Sequence, residues 1–74
     1  MVKKIEIKTK SITVDQFLKW SGIADTGGMG KAMISSGQVK VNGTAEQRRS
    51  RLLYPNDRVE INGEELVVCK PLDS

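Results

Sequence analysis

The chain has 74 residues, a single cysteine, no histidine and a formal charge of +3. That length suits one domain with a small core, so residues 1–74 are expected to form one unit. Cys69 alone excludes an intramolecular disulfide or a cysteine metal cluster, and the absence of histidine removes the usual general base, metal ligand and nucleophile partner. A protein without catalysis, metal or cofactor is therefore expected. No apolar run is long enough to cross a membrane, and "MVKKIEIKTK" alternates lysine with isoleucine where a secretory signal would be apolar. The expectation is a soluble, cytoplasmic monomer with no membrane partner.

In "KKIEIK", Ile5 and Ile7 alternate with Lys4, Glu6 and Lys8, the period of a half-buried strand. In "SITVDQFLKWSG", Thr13 and Gln16 fit a capping box, and Ile12 with Phe17 fits the hydrophobic staple around it. A short first helix follows, with Val14, Phe17, Leu18 and Ser21 on one face and Gly22 as its stop. Asp25 or Thr26 can cap a second helix running to Ser36 and ending at Gly37. Its helical wheel puts Met29, Ala32, Met33 and Ser36 inward and Gly27, Gly28, Lys31 and Ser35 outward.

The remainder reads as two hairpins. "VKVNG" turns at Asn42-Gly43 with Val39 and Val41 inward, and "RVEINGEELVV" turns at Asn62-Gly63 with Val59, Ile61, Leu66 and Val68 inward. Between them lies "QRRSRLLYPND", in which Pro55 and Asn56 favour a turn with Leu52, Leu53 and Tyr54 tucked beneath it. The layout is α+β, two short helices packed on a small antiparallel sheet of hairpins.

Positive charge gathers mid-chain: residues 31–51 carry five basic residues and one acid, whereas residues 52–74 carry two basic residues and five acids. Such segregation fits an anion-binding surface or a solvated basic loop. "TGGMGKA" looks at first like a nucleotide P-loop, but in that register Asp25 takes the first glycine position and Ala32 the magnesium-binding hydroxyl position. Both substitutions remove the chemistry. Lys31 nevertheless sits near a helix N-terminus, where the macrodipole disfavours a cation, and Gly27 and Gly28 leave backbone amides uncovered. Thr26, Gly27, Gly28 and Lys31 are therefore candidate phosphate contacts, with a flexible loop entering a helix as the alternative.

Arg48, Arg49 and Arg51 form the second candidate set, because guanidinium forks grip phosphate bidentately. The alternative is a solvated loop, or ion pairing with Glu46 and the acidic C-terminal third. Lys40 is expected on the outer side of the adjoining strand, and Lys19 outward on the first helix. Trp20 reads as partly buried packing rather than a base-stacking platform, Cys69 as a small buried hydrophobe, and Glu60, Glu64 and Glu65 as a solvated hairpin face.

The run "TVDQFLKWSGIADTGGMGKAMISSGQVKVNG" resembles the S4-type RNA-binding domain, or alpha-L motif, over about residues 12–61. Leu18 and Gly22, Ile34 and Gly37, and Val39, Val41, Asn42 and Gly43 match the family pattern, and "NDRV" stands for its closing turn. "TGGMGK" and "RRSRLLY" are similar to a YaaA-like branch of small stand-alone bacterial proteins. The resemblance implies binding of structured RNA, with ribosomal RNA or a ribosomal particle as partner and a place in ribosome maturation. It carries RNA contact onto Lys31, Arg48, Arg49 and Arg51, and less firmly onto Gly27 and Gly28. Thr13 and Thr26-Gly27 depart from the family, which usually has arginine and Ser-Arg there. A protein-interaction adaptor whose basic face meets an acidic partner is the competing expectation.

Overall fold

The computed structural model describes residues 2–70. The alternating N-terminus forms β1 (Val2–Glu6), with Ile5 half-buried and Ile7, just beyond it, fully buried. After β2 (Ile12–Thr13) comes α1 (Val14–Trp20), which buries Val14, Phe17 and Leu18. The second helix, α2 (Gly27–Ser35), is capped by Thr26. Both helices end one residue before a glycine, at C-caps Ser21 and Ser36. The chain continues through β3 (Val39–Val41), β4 (Thr44–Ala45), β5 (Leu52–Leu53), β6 (Arg58–Ile61) and β7 (Glu64–Cys69).

The main sheet has five strands in the order β1-β7-β6-β3-β4. Its hairpin turns use Asn42-Gly43 at φ 53° and 87° and Asn62-Gly63 at φ 51° and 79°, the pair of positive φ angles that a tight hairpin turn requires. The sheet is mixed rather than purely antiparallel, because β1 runs parallel to β7 with Ile5 opposite Val68. Alternation along "KKIEIK" specifies a strand and its inward face, but not its neighbour; a parallel partner demands the long crossover that the rest of the chain supplies. A separate two-stranded ladder pairs Ile12 with Leu53 and Thr13 with Leu52.

Val39, Val41, Val59, Ile61, Leu66 and Val68 face one core together with Phe17, Leu18, Ile34 and Leu53, as period-two burial on the strands dictates. The inward face of α2 differs from the wheel prediction. Gly30 and Ile34 are buried and Met33 is half-buried, whereas Met29, Ala32 and Ser36 are exposed. Gly30 is where α2 meets α1: a Cβ there would stand 3.5 Å from the Asp15 carbonyl oxygen, 3.7 Å from Ala24 Cβ and 3.9 Å from Leu18 Cβ, and Ile34, four residues on, is buried on the same face.

Three further expectations change. Only Leu53 tucks under the Pro55-Asn56 turn; Leu52 and Tyr54 are exposed, since β5 pairing sends neighbouring residues to opposite faces. Trp20 is 50% exposed, with its ring held by Nε1 donating to the Glu6 carbonyl at 2.7 Å. Cys69 is half-buried, at the end of β7.

Candidate nucleic-acid interface

The start of α2 is built by Thr26, not Asp25. Its backbone is extended (φ −137°, ψ 163°) and its Oγ1 accepts from the Met29 amide at 3.1 Å, while its carbonyl accepts from the Gly30 amide. Thr26 is therefore occupied as a cap. Gly27 and Gly28 are exposed, and a Cβ would meet nothing within 4 Å at Gly27 and only the Thr26 hydroxyl, at 3.9 Å, at Gly28. Packing does not involve these two glycines, whereas Gly30 is buried against α1. Lys31 is exposed and makes no ion pair among the described residues.

The arginine loop is organised around Glu46, which is 7% exposed. Its Oε1 accepts from Arg51 Nη1 at 2.8 Å, and its Oε2 accepts from the Arg48 amide at 3.1 Å and Arg48 Nε at 3.3 Å. These bonds hold the Glu46 carboxyl at about 2, below its ordinary 4.5. The Arg51 hydrogen bond contributes most, followed by the Arg48 amide, against an opposing contribution from burial. The two expectations for this loop thus divide by residue. Arg51 and Arg48 pair with Glu46, whereas Arg49 is exposed and unpaired among the described residues. Arg48 keeps most of its guanidinium in solvent, its side chain being 80% exposed.

The loop backbone has a second task. The carbonyls of Arg51 and Arg49 accept from the amides of Val14 (3.0 Å) and Asp15 (3.4 Å), the first two amides of α1. A helix start leaves such donors without intrahelical partners, and here the loop satisfies them. The expected Thr13 capping box is absent: the Gln16 amide donates to Asp15 Oδ1 at 2.9 Å, and Thr13 Oγ1 donates to the same oxygen at 2.6 Å. Asp15 also joins the two cationic regions, with its amide on Arg49 and its carbonyl against Gly30, the residue before Lys31. Sequence reasoning missed Asp15 because nothing in its spacing announces a backbone junction.

Lys19 and Lys40 are both exposed, but neither joins this junction. Lys40 lies between Ala45 and Glu60 across the sheet, on the side opposite the buried Val39 and Val41, where an acidic neighbour offsets its charge. Lys19 lines a groove beside Trp20.

Two helices joined edge to edge, a hairpin turning at Asn-Gly and a basic loop at the helix junction are the setting in which residues 5–69 match the family described as S4 domain. The chain belongs to the S4 domain family. It is 44% identical over 63 residues to the probable ribosome maturation protein RlbA of Bacillus subtilis strain 168, covering 85% of this chain and 89% of RlbA. Among solved structures it is similar to YbcJ of E. coli, described as having an αL motif involved in RNA-binding. That match has TM-score 0.65 and 26% identity, over 92% of this chain and 85% of YbcJ. It also resembles the 30S ribosomal protein S4e of Thermoplasma acidophilum, with TM-score 0.59 and 29% identity over 78% of this chain. This S4 domain spans only 31% of S4e. At Thr13, where the S4 pattern usually has arginine, strand pairing sets Leu52 opposite and so brings Arg51 next to the departed position.

Proposed function

We propose that this S4 domain is a non-catalytic RNA-binding module of the cytoplasm, acting on ribosomal RNA or a ribosomal particle during ribosome maturation. The observation that carries the reading is the junction at Asp15, which links the exposed Lys31 helix to the loop presenting Arg48 and Arg49. Residues 1–74 act as one unit in this reading. Membership of the S4 family, the likeness to RlbA and the likeness to YbcJ support RNA as the polyanion. Lys31, Arg48 and Arg49 contact phosphates, with the uncovered amides of Gly27 and Gly28 beside them. Arg51 helps to hold the loop through Glu46 and compensates near Thr13. Lys19 and Lys40 add positive charge outside this junction. A contact set without base-reading geometry of its own follows the RNA backbone by shape.

Neutralising about four phosphates predicts that affinity falls roughly 50- to 150-fold between about 50 and 200 mM salt. Binding of ribosomal RNA fragments across that range tests the reading, using the intact chain, Lys31→Ala and Arg49→Ala. Each variant is expected to weaken binding and to flatten the log-log salt slope by about 0.7 to 0.9, with unchanged melting. Salt-independent binding, or affinity that both substitutions leave intact, would remove the proposal.

A further inference from the structure

An open groove of about 470 Å³ lies between α1 and the segment that follows β1. Ile7 and Ile12 line it with Trp20, and Lys8, Lys19 and Gln16 supply its polar groups. No carboxylate among the described residues lines it. The Trp20 ring is fixed by its bond to the Glu6 carbonyl, so its one donor is satisfied and its exposed part is aromatic surface. The Lys8 ammonium stands 5.7 Å from the ring centroid, a cation–π contact that keeps positive charge at the mouth.

We propose that this groove takes one unpaired nucleotide of the bound RNA, its base stacked on Trp20 and its phosphate held by Lys8 and Lys19. The inference rests on the RNA-binding reading and adds a base-contacting site to it. Three features fix the ligand class. The groove lies in the volume range that suits small-molecule and cofactor sites, its apolar and aromatic walls match a planar base, and its two ammonium groups match a flanking phosphate. An acidic peptide would satisfy the lysines and leave Trp20 and the isoleucines unmatched. A base entering over the ring displaces Lys8 towards the phosphate, so stacking and an ion pair replace the cation–π contact. The Gln16 amide is available for the edge of the base. Continuity with the arginine loop supports the same occupant: Gln16 lines the groove, and the amide of its neighbour Asp15 donates to the Arg49 carbonyl of the loop. A strand held by the loop at its phosphates therefore passes α1 where a base can leave the stack.

Trp20 is the single tryptophan of the chain, so its emission reports on this groove alone. Two labelled RNA hairpins identical except for one unpaired adenosine would be titrated against the protein, with anisotropy following binding and tryptophan emission following the groove. The bulged hairpin is expected to quench Trp20 saturably, and the fully paired one to bind without quenching. Trp20→Leu is expected to weaken the bulged hairpin roughly five- to hundredfold while leaving the paired one unchanged. The wild-type emission decides the matter even if that variant melts early. Binding of both hairpins with unchanged emission overturns the groove and leaves the RNA reading intact. Absence of binding by either hairpin overturns both, and quenching by a polyglutamate peptide in place of RNA assigns the groove to a protein partner and overturns the nucleotide.

Discussion

Lys31 stands on a helix whose start is left bare apart from one threonine cap, whereas Arg48 and Arg51 are tied to a buried carboxylate in a loop whose carbonyls complete another helix. Both regions are cationic and both read from sequence as phosphate contacts. The loop, however, carries three arginines against Glu46, leaving a net charge of +2, and part of its charge is already paired. A run of arginines therefore overstates the charge on offer, because some of it builds the platform from which the rest projects. The α2 start shows the converse, since two of its glycines serve no packing need and the third is a packing residue.

The sharpest way to separate platform from contact lies at β5. Leu53 is fully buried and anchors the exit of the loop, whereas its neighbour Leu52 is 46% exposed. Leu53→Ala is expected to cost about 2 to 5 kcal/mol of unfolding free energy, through lost burial and the cavity left behind. Leu52→Ala should stay within about 0.5 kcal/mol. Urea denaturation of the pair checks this, and equal losses would mean that the loop is not anchored through one face of β5.

A smaller effect is expected at the glycines. Gly30→Val forces branched methyl groups into the space between α1 and α2 and should cost about 1 to 3 kcal/mol. Gly30→Ala meets only ordinary van der Waals distances, and the helix preference for alanine opposes any strain, so its change should be under about 1 kcal/mol. Gly28→Ala should not destabilise at all. Thermal melts of the three variants test the order; a Gly30→Val protein as stable as the parent would break the distinction between packing and uncovered glycines.

These contrasts also mark what the sequence could convey. The hairpins were legible because Asn42-Gly43 and Asn62-Gly63 demand positive φ and the flanking valines alternate, and the helix ends were legible because Gly22 and Gly37 follow each periodic run. The α2 face was not. A wheel that weights Met29 and Met33 as apolar cannot know that the helix approaches its neighbour through Gly30, with Ile34 buried on the same face. The candidate site divides the same way. Exposure of Lys31 and Arg49 follows from local pattern, but the role of Arg51 depends on Glu46, five residues away along a loop without periodicity. Backbone junctions such as Asp15 to Arg49 leave no residue-type signature, since any residue carries the same amide and carbonyl.

The smallest expected effect concerns the ion pairs themselves, since Arg48 and, to a lesser degree, Arg51 reach solvent and are screened by it. Glu46 has a carboxyl lowered from 4.5 to about 2, chiefly by Arg51 and the Arg48 amide. Since the folded state holds the deprotonated form more strongly than the unfolded state does, this contribution to stability is fully present above about pH 4.5. It is lost as pH falls towards about 2, because the unfolded chain takes up a proton that the folded chain resists. Glu46→Gln removes the titrating group while keeping an acceptor for Arg51. The urea midpoint of the parent should therefore fall more steeply than that of Glu46→Gln across this acid window, with the two curves running parallel at neutral pH. Parallel curves throughout would show that Glu46 is not the carboxylate that holds the loop. The arginines would then be released from their structural role, and the difference between loop and helix would reduce to position alone.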